Sequence, residues 1–371
     1  MAKILVLGGG FGGVVAAESI ANQLGNEHQI TLVARSDRFV FYPALVSLAF
    51  GKCSLDDASF DLRKSMLSRN INFIEAEVAR LDLERRKVVT ALGEVEGTIP
   101  YDYLVFALGR RLATERTPGF FEHSHHLLDP EGALKFGEAV RNFSSGDVVL
   151  GQCSGARLPV PVYETAFALA KRRKENATRI TVVSPTSLES EFGDANVAQQ
   201  LETALRRNRV EYLPHFPVDC IERDRIISRD GRALKYDLLM LLPAFSGAPA
   251  VSRLGISSDN GYLNVDERMK VIGVEGMYAV GDCINLTGPK LGHMAVRQAK
   301  VAAANLLAEI DGREALARYN HEETMIIDAT DGDTLYIHKD FASDGSSSVR
   351  QGRFWGWAKR AQEKYWETMH V

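Results

Sequence analysis

The stretch "KILVLGGGFGGVVAAESIANQL", residues 3 to 24, limits the fold more than any other part of the chain. An apolar run suited to a buried strand ends at Gly8, Gly10 and Gly13, spaced G-x-G-x-x-G, and a helical period follows at once. A second apolar run, "QITLV" at 29–33, completes a strand–helix–strand unit. Such a unit points the free N–H groups of a helix N-terminus at the end of its first strand. Glycines there let a pyrophosphate approach the backbone. The expected class is therefore α/β, with a nucleotide site at the strand ends. An acidic residue for the ribose hydroxyls normally follows the second strand. Here the chain reads Ala34-Arg35-Ser36-Asp37, so Asp37 or backbone groups must serve, and Arg35 is expected near the adenosine end.

Two later signals extend the pattern. "YDYLVFALG" (101–109) is a strand ending in a glycine turn, and "GMYAVGD" (276–282) is a strand ending in an aspartate suited to ribityl hydroxyls. In this order the three signals point to FAD. The expected contacts in the first loop are Gly8, Gly10, Phe11, Gly12 and Gly13. Ala34 and Arg35 follow the second strand, and Pro43 and Val78 are included. Ala107, Leu108 and Gly109 close the middle signal, and Gly281 and Asp282 the last. Lys290, in "GPKLG", is expected to neutralise charge at the N1/C2 edge of the reduced flavin, with Gly292 adding an N–H donor at a helix start.

A second unit begins with "GDVVLG" (146–151) and continues in "RITVV" (179–183). The loop between them keeps Gly151 and Gly155 but carries Cys153, Arg157, Pro159 and Pro161. Prolines remove N–H donors and fix φ, which suits a pyrophosphate cradle poorly. Ser184-Pro185 then stands where a ribose-binding acid belongs. This half is expected to keep a nucleotide-binding topology without the nucleotide. With 371 residues, more than one core is required. The expected division is 1–110 with 256–315 as the FAD domain, 111–255 as a second Rossmann-like domain, and 316–371 as a membrane and quinone region.

Charge and composition exclude several classes. The net charge of −4 leaves no basic footprint for nucleic acid. No apolar run approaches the roughly 20 residues that span a bilayer, and the chain enters a strand at residue 3 with no signal-peptide pattern. A protein on the cytoplasmic side is expected. A homo-oligomer stays open. His123, His125 and His126 fit no standard zinc spacing, so no metal is expected. The four cysteines, Cys53, Cys153, Cys220 and Cys283, form no C-x-x-C pair. Residues 341–352 read as a polar loop. All three tryptophans then fall in "RFWGWAKRAQEKYWETMHV". On a helix, Phe354, Trp355, Ala358, Ala361, Tyr365 and Met369 share one broad face beside Arg353, Lys359, Arg360 and Lys364. That is the pattern of a helix lying in a membrane interface; docking on the protein's own core or on a partner is the alternative.

Over nearly its whole length the chain resembles the sulfide:quinone oxidoreductase family, within the wider group that includes type II NADH dehydrogenases. The resemblance rests on "LGGGFGG", "RFVFYPALVSLAFG", "YDYLVFALG", "MYAVGDCINLTGPKLGHMAVRQAKVAAANL" and the aromatic-basic C-terminus. "QCSGA" and "GDCINL" are most similar to the branch that includes the mitochondrial enzymes. Other bacterial branches place the first thiol near Leu158, where this chain has none. The resemblance implies oxidation of sulfide through a disulfide, with Cys283 taking the sulfur, Cys153 passing electrons to FAD, and a quinone as acceptor. Cys53 and Cys220 have no motif around them and are expected to be structural. Glu164, opening a helix beside the cysteine loop, is a candidate proton relay, although glutamate in a first helical turn also suits the helix dipole. The alternatives are an NADH:quinone oxidoreductase with an unusual loop and a flavin-bearing binding protein without sulfide turnover.

Overall fold

The computed structural model describes residues 1–24, 27–95, 97–172, 178–252, 254–329, 333–341 and 347–370. The first strand is β1 (Lys3–Leu7), followed by α1 (Phe11–Leu24) and β2 (Gln29–Ala34). Ile4, Leu5, Val6 and Leu7 are all buried, because both faces of the strand lie inside one apolar core and leave no polar side to alternate with. Strands β3 (Asn72–Asp82), β4 (Lys87–Gly93), β5 (Gly97–Pro100) and β6 (Tyr103–Phe106) continue this half. β7 (Gly146–Gln152), α2 (Val160–Arg172), β8 (Thr178–Val183), α3 (Leu188–Phe192), β9 (Val210–Leu213) and β10 (Leu238–Leu242) build the next. β11 (Met277–Ala279) and α4 (Gly292–Ile310) return to the first half.

The first sheet has seven strands in the order β11-β6-β1-β2-β3-β4-β5. Its centre is parallel, and the registers Leu7↔Val33, Leu7↔Phe106 and Ala279↔Phe106 bring the strand ends to one edge. α1 and α4 pack against each other on one face. The second sheet is parallel with the order β9-β8-β7-β10. Its core is separate and is built from residues such as Phe136, Leu150, Phe167 and Leu201.

The C-terminal part departs from the sequence expectation. β12 (Glu322–Asp328), β13 (Thr334–Asp340) and β14 (Ser347–Gln351) form an antiparallel sheet ahead of helix α5 (Arg353–His370). Residues 347–351, expected as loop, pair along β13 from Lys339↔Ser347 to Leu335↔Gln351. Backbone pairing with an existing strand overrides their polar composition. Residues 342–346 of the expected loop lie outside the described ones.

Helix α5 is only partly the free amphipathic helix that its sequence suggested. Trp366 is buried, stacked on Phe39 at 5.7 Å and edge-on to Phe11 at 4.8 Å. Trp355 stacks on Tyr336 of β13 at 4.0 Å. Lys359, counted among the outward charges, turns in and donates to Glu164 Oε1 at 2.6 Å. Phe354 and Trp357 remain exposed, with Arg353, Arg360, Ala361 and Lys364 around them. The side chains of Tyr365 and Met369 lie outside the description. Among the described residues no helix is long and apolar enough to cross a membrane.

The Lys359–Glu164 pair ties α5 to α2. Removing one partner leaves a buried charge without compensation, which costs about 3 kcal/mol. Lys359→Met should therefore lower the urea midpoint sharply, and the Glu164→Gln/Lys359→Met double variant should recover part of the loss. Strictly additive losses in that cycle would mean that the two side chains do not couple.

Candidate functional site: the shared strand edge and the junction of the two halves

Gly8, with φ of +109°, follows β1 so closely under β6 that a Cβ would lie 2.1 Å from the Ala107 carbonyl oxygen. A Cβ on Gly13 would lie 1.8 Å from Gly8 O. Both positions require glycine because strand, turn and helix touch there. Gly10 differs, since a Cβ there would meet nothing within 4 Å. Its open face lies at the N-terminus of α1, where backbone N–H groups are free for a phosphate.

The same edge gathers several of the other expected residues, whereas Val78 and Pro43 lie on neighbouring segments. Phe11 opens α1, with Gly12 and Gly13 buried behind it, and Ala34 ends β2 with Arg35 and Asp37 exposed just beyond. Val78 lies three positions past Glu75, the last β3 residue paired with β2. Ala107, Leu108 and Gly109 leave β6, and Gly281 and Asp282 leave β11. Gly281 N is fixed by Gln298 Oε1 at 2.8 Å. Gly292 is the first residue of α4, and its Cα faces the Phe11 ring. Pro43 sits exposed in a short 3-10 turn, Tyr42–Ala44.

Beside this edge lies a cluster that the sequence reading only partly foresaw. Arg110 pairs with Asp282 and lies over the Phe245 ring at 4.2 Å. Arg157, from the cysteine loop, donates through Nε to Gly288 O at 2.8 Å and through Nη2 to Leu286 O. In return Lys290 N donates to Arg157 O at 2.8 Å. The Lys290 ammonium is buried, donates to Ile284 O at 2.6 Å and sits 4.7 Å from the Tyr262 ring centroid. Burial, with help from the Arg157 charge, pulls its pKa down to about 8. Arg110 Nε and Tyr262 OH are shut off from solvent without a hydrogen-bond partner. Three cations around one carboxylate make a positive pocket, and the two unused donors face no acceptor of the protein. These features fit an anionic, hydrogen-bonding cofactor such as FAD. Arg110 and Arg157 carried only one sequence signal, their places beside Gly109 and the cysteine loop.

The two cysteine motifs meet through Arg157 and Lys290, but their thiols do not. Cys153 packs with Phe120, Val183, Phe216 and Leu241, and bonds the Thr117 side chain. Cys283 belongs to the first core and donates to Val280 O at 3.1 Å and Phe106 O at 3.4 Å. Both are free thiols. Burial pushes Cys153 up to about 11 and Cys283 up to about 12, so neither is a thiolate at neutral pH. The disulfide implied by the family resemblance is not formed here. The physical reason is local: each sulfur completes the apolar packing of its own half.

Glu164 also departs from expectation. It is buried and accepts from Asp328 N at 2.9 Å as well as from Lys359. Both bonds use Oε1, and they make it an anchor for the C-terminal sheet and helix rather than a free proton relay.

At the second sheet's edge stands a hydrogen-bonded cluster that the sequence did not signal. Glu191 of α3 folds back over the ends of β7 and β8. It accepts from Gln152 Nε2 at 2.7 Å, Tyr163 OH at 2.9 Å and Ser184 Oγ at 3.0 Å. Gln152 ends β7, Ser184 follows β8, and Tyr163 lies in the first turn of α2. This is the crevice where a parallel α/β sheet holds a dinucleotide. Here Gln152, Tyr163 and Ser184 all bond the Glu191 carboxylate.

Residues 2–299 match the family model "Pyridine nucleotide-disulphide oxidoreductase". The chain belongs to that family. FAD is the family's cofactor and the cofactor of this chain. A sulfide-quinone reductase from Aquifex aeolicus is 28% identical over 269 residues, covering 69% of this chain and 61% of that relative. A type II NADH:quinone oxidoreductase from Haemophilus influenzae is 22% identical over 377 residues, covering 88% and 85%. The solved sulfide:quinone oxidoreductase of Aquifex aeolicus superposes with a TM-score of 0.89 at 24% identity, covering 98% of this chain and 90% of that one. That likeness confirms the α/β fold.

Two outcomes test the site. Gly13→Ala forces a methyl group into the Gly8 carbonyl, so the variant should purify without the visible flavin spectrum. Thiol titration of the native protein should modify only the partly exposed Cys53 and Cys220, and all four cysteines should react after denaturation without reductant. Two thiols in the denatured protein would reveal a disulfide instead.

Proposed function

We propose that this flavoprotein oxidises a small sulfur anion, with sulfide as the substrate, and delivers the electrons through FAD to a quinone. The observation that carries this reading is the hydrogen-bonded cluster at the second sheet's edge. Gln152, Tyr163 and Ser184 bond Glu191 at the strand ends where NADH would lie, which favours a smaller donor that uses another route. The pocket of Arg110, Arg157 and Lys290 favours an anion such as HS⁻ over a neutral donor. FAD would supply two-electron chemistry when bound; Asp282 and the strand-edge glycines would hold and orient it, and Lys290 would offer it positive charge.

In this reading the cysteine relay is a second state of the molecule. Cys153 and Cys283, both free thiols here, must leave their apolar pockets to meet across the Arg157–Lys290 junction. Joining them in a disulfide releases two electrons and two protons, and the bound FAD would be the electron acceptor. Attack by HS⁻ then breaks the S–S bond, leaving a persulfide on Cys283 and a thiolate on Cys153. The exposed Phe354 and Trp357, ringed by Arg353, Arg360 and Lys364, form the face that meets the membrane where quinones reside.

Anaerobic addition of sulfide should bleach the flavin, whereas NADH should leave it oxidised. Bleaching by NADH but not by sulfide would overturn the reading, and bleaching by neither would favour a binding role. Cys153→Ser and Cys283→Ser should each abolish reduction by sulfide while retaining FAD. If both variants are still reduced, sulfide acts without the thiol relay. Phe354→Asp/Trp357→Asp should lose cosedimentation with anionic lipid vesicles, a test that leaves the buried Lys359 and Trp366 anchors intact.

A further inference from the structure

Strand β12 alternates strictly, with Glu323, Met325 and Ile327 buried and their neighbours half-exposed. A carboxyl group therefore stands in an apolar row, at 2% exposure. Buried carboxylates ordinarily have partners, as Glu164 does. Glu323 Oε2 is sealed from solvent and accepts no hydrogen bond.

Its surroundings give the carboxyl a role. A Cβ on Gly288 would lie 2.9 Å from Glu323 Oε2, so the carboxyl rests directly against the 286–290 loop. That is the loop whose carbonyls Arg157 holds and which ends in the buried Lys290. Lys339 of β13 is the cation acting on it from the adjoining strand, with His338 next to it in the chain. His321, two residues earlier, stacks on Phe341 at 4.4 Å and approaches Thr287 O at 3.2 Å, with its Nδ1 buried and unpartnered. Burial pushes the Glu323 carboxyl up to about 7, against the pull of Lys339 and His338. Both protonation states are then accessible at neutral pH, and negative charge arriving across the loop raises the value further.

We propose that Glu323 is the proton-exchanging group of the flavin pocket, binding a proton when the cofactor is reduced and releasing it when electrons leave for the acceptor. This rests on the placement of the cofactor's edge at Lys290, and on the quinone as acceptor, but not on sulfide as donor. Reducing a quinone to a quinol consumes two electrons and two protons. One proton travels with the electrons from the cofactor. The Glu323 carboxyl gives up the other and regains one from solvent at the next reduction.

The test is an anaerobic titration of the purified FAD-loaded protein with dithionite, which needs neither sulfide nor quinone. Below about 7 Glu323 is already protonated and adds nothing; above it, reduction should draw in one extra proton per two electrons. The flavin midpoint potential should then fall more steeply in wild type than in Glu323→Gln, by about 30 mV per pH unit. The infrared band of a protonated carboxylic acid should titrate in wild type and be missing in the variant. Lys339→Met keeps the carboxyl but removes an opposing charge, so it should move the break in slope to higher pH, which also covers a Gln variant that fails to fold. Equal slopes in wild type and Glu323→Gln, or a break that Lys339→Met does not move, would overturn the proposal. If sulfide fails as donor while the steeper slope persists, the donor assignment fails and this one stands.

Discussion

The close approach of β1, α1 and β6 around Gly8 and Gly13 is the constraint on which the rest depends. With carbonyl oxygens of Ala107 and Gly8 about 2 Å from where side chains would begin, no other residue fits either position. The contact draws the helix N-terminus to the strand ends and keeps Gly10 open before it. Parallel register then brings Leu7, Ala34, Phe106 and Ala279 to one edge, and every residue that would touch FAD in this half follows from that alignment.

The second half is joined to this edge by polar clasps. Arg157 holds two carbonyls of the loop before α4, and Lys290 N returns a bond to Arg157 O. In a low-dielectric junction such bonds are strong and directional. They bring the two cysteine loops together while leaving each thiol in its own core. The same clasps collect Arg110, Arg157 and Lys290 around Asp282, so the positive pocket is a product of domain contact and belongs to neither half alone.

The C-terminal part works by anchoring. Glu164, Lys359 and the Asp328 backbone link α2, α5 and β12, and Trp366 closes over Phe39 and Phe11. A helix whose composition suits a membrane interface thus spends part of that composition inward. What stays outside is the Phe354–Trp357 pair with its basic neighbours.

The sequence by itself determined the paired strand–helix–strand units, the glycine turn at the end of the first strand, and FAD as the cofactor. These are local matters: periodicity fixes strands and helices, and glycine spacing fixes close backbone approaches. It did not determine where long side chains end up. Lys359 reads as an outward charge until Glu164 is seen beneath it, Trp355 as part of an interfacial face until Tyr336 is seen beside it, and the thiols of Cys153 and Cys283 are found in separate cores. Glu191, whose carboxylate gathers Gln152, Tyr163 and Ser184, and Glu323, buried against Gly288, gave no signal in the sequence. Their partners lie on distant segments, and only tertiary packing decides whether a carboxylate is paired, walled in or free.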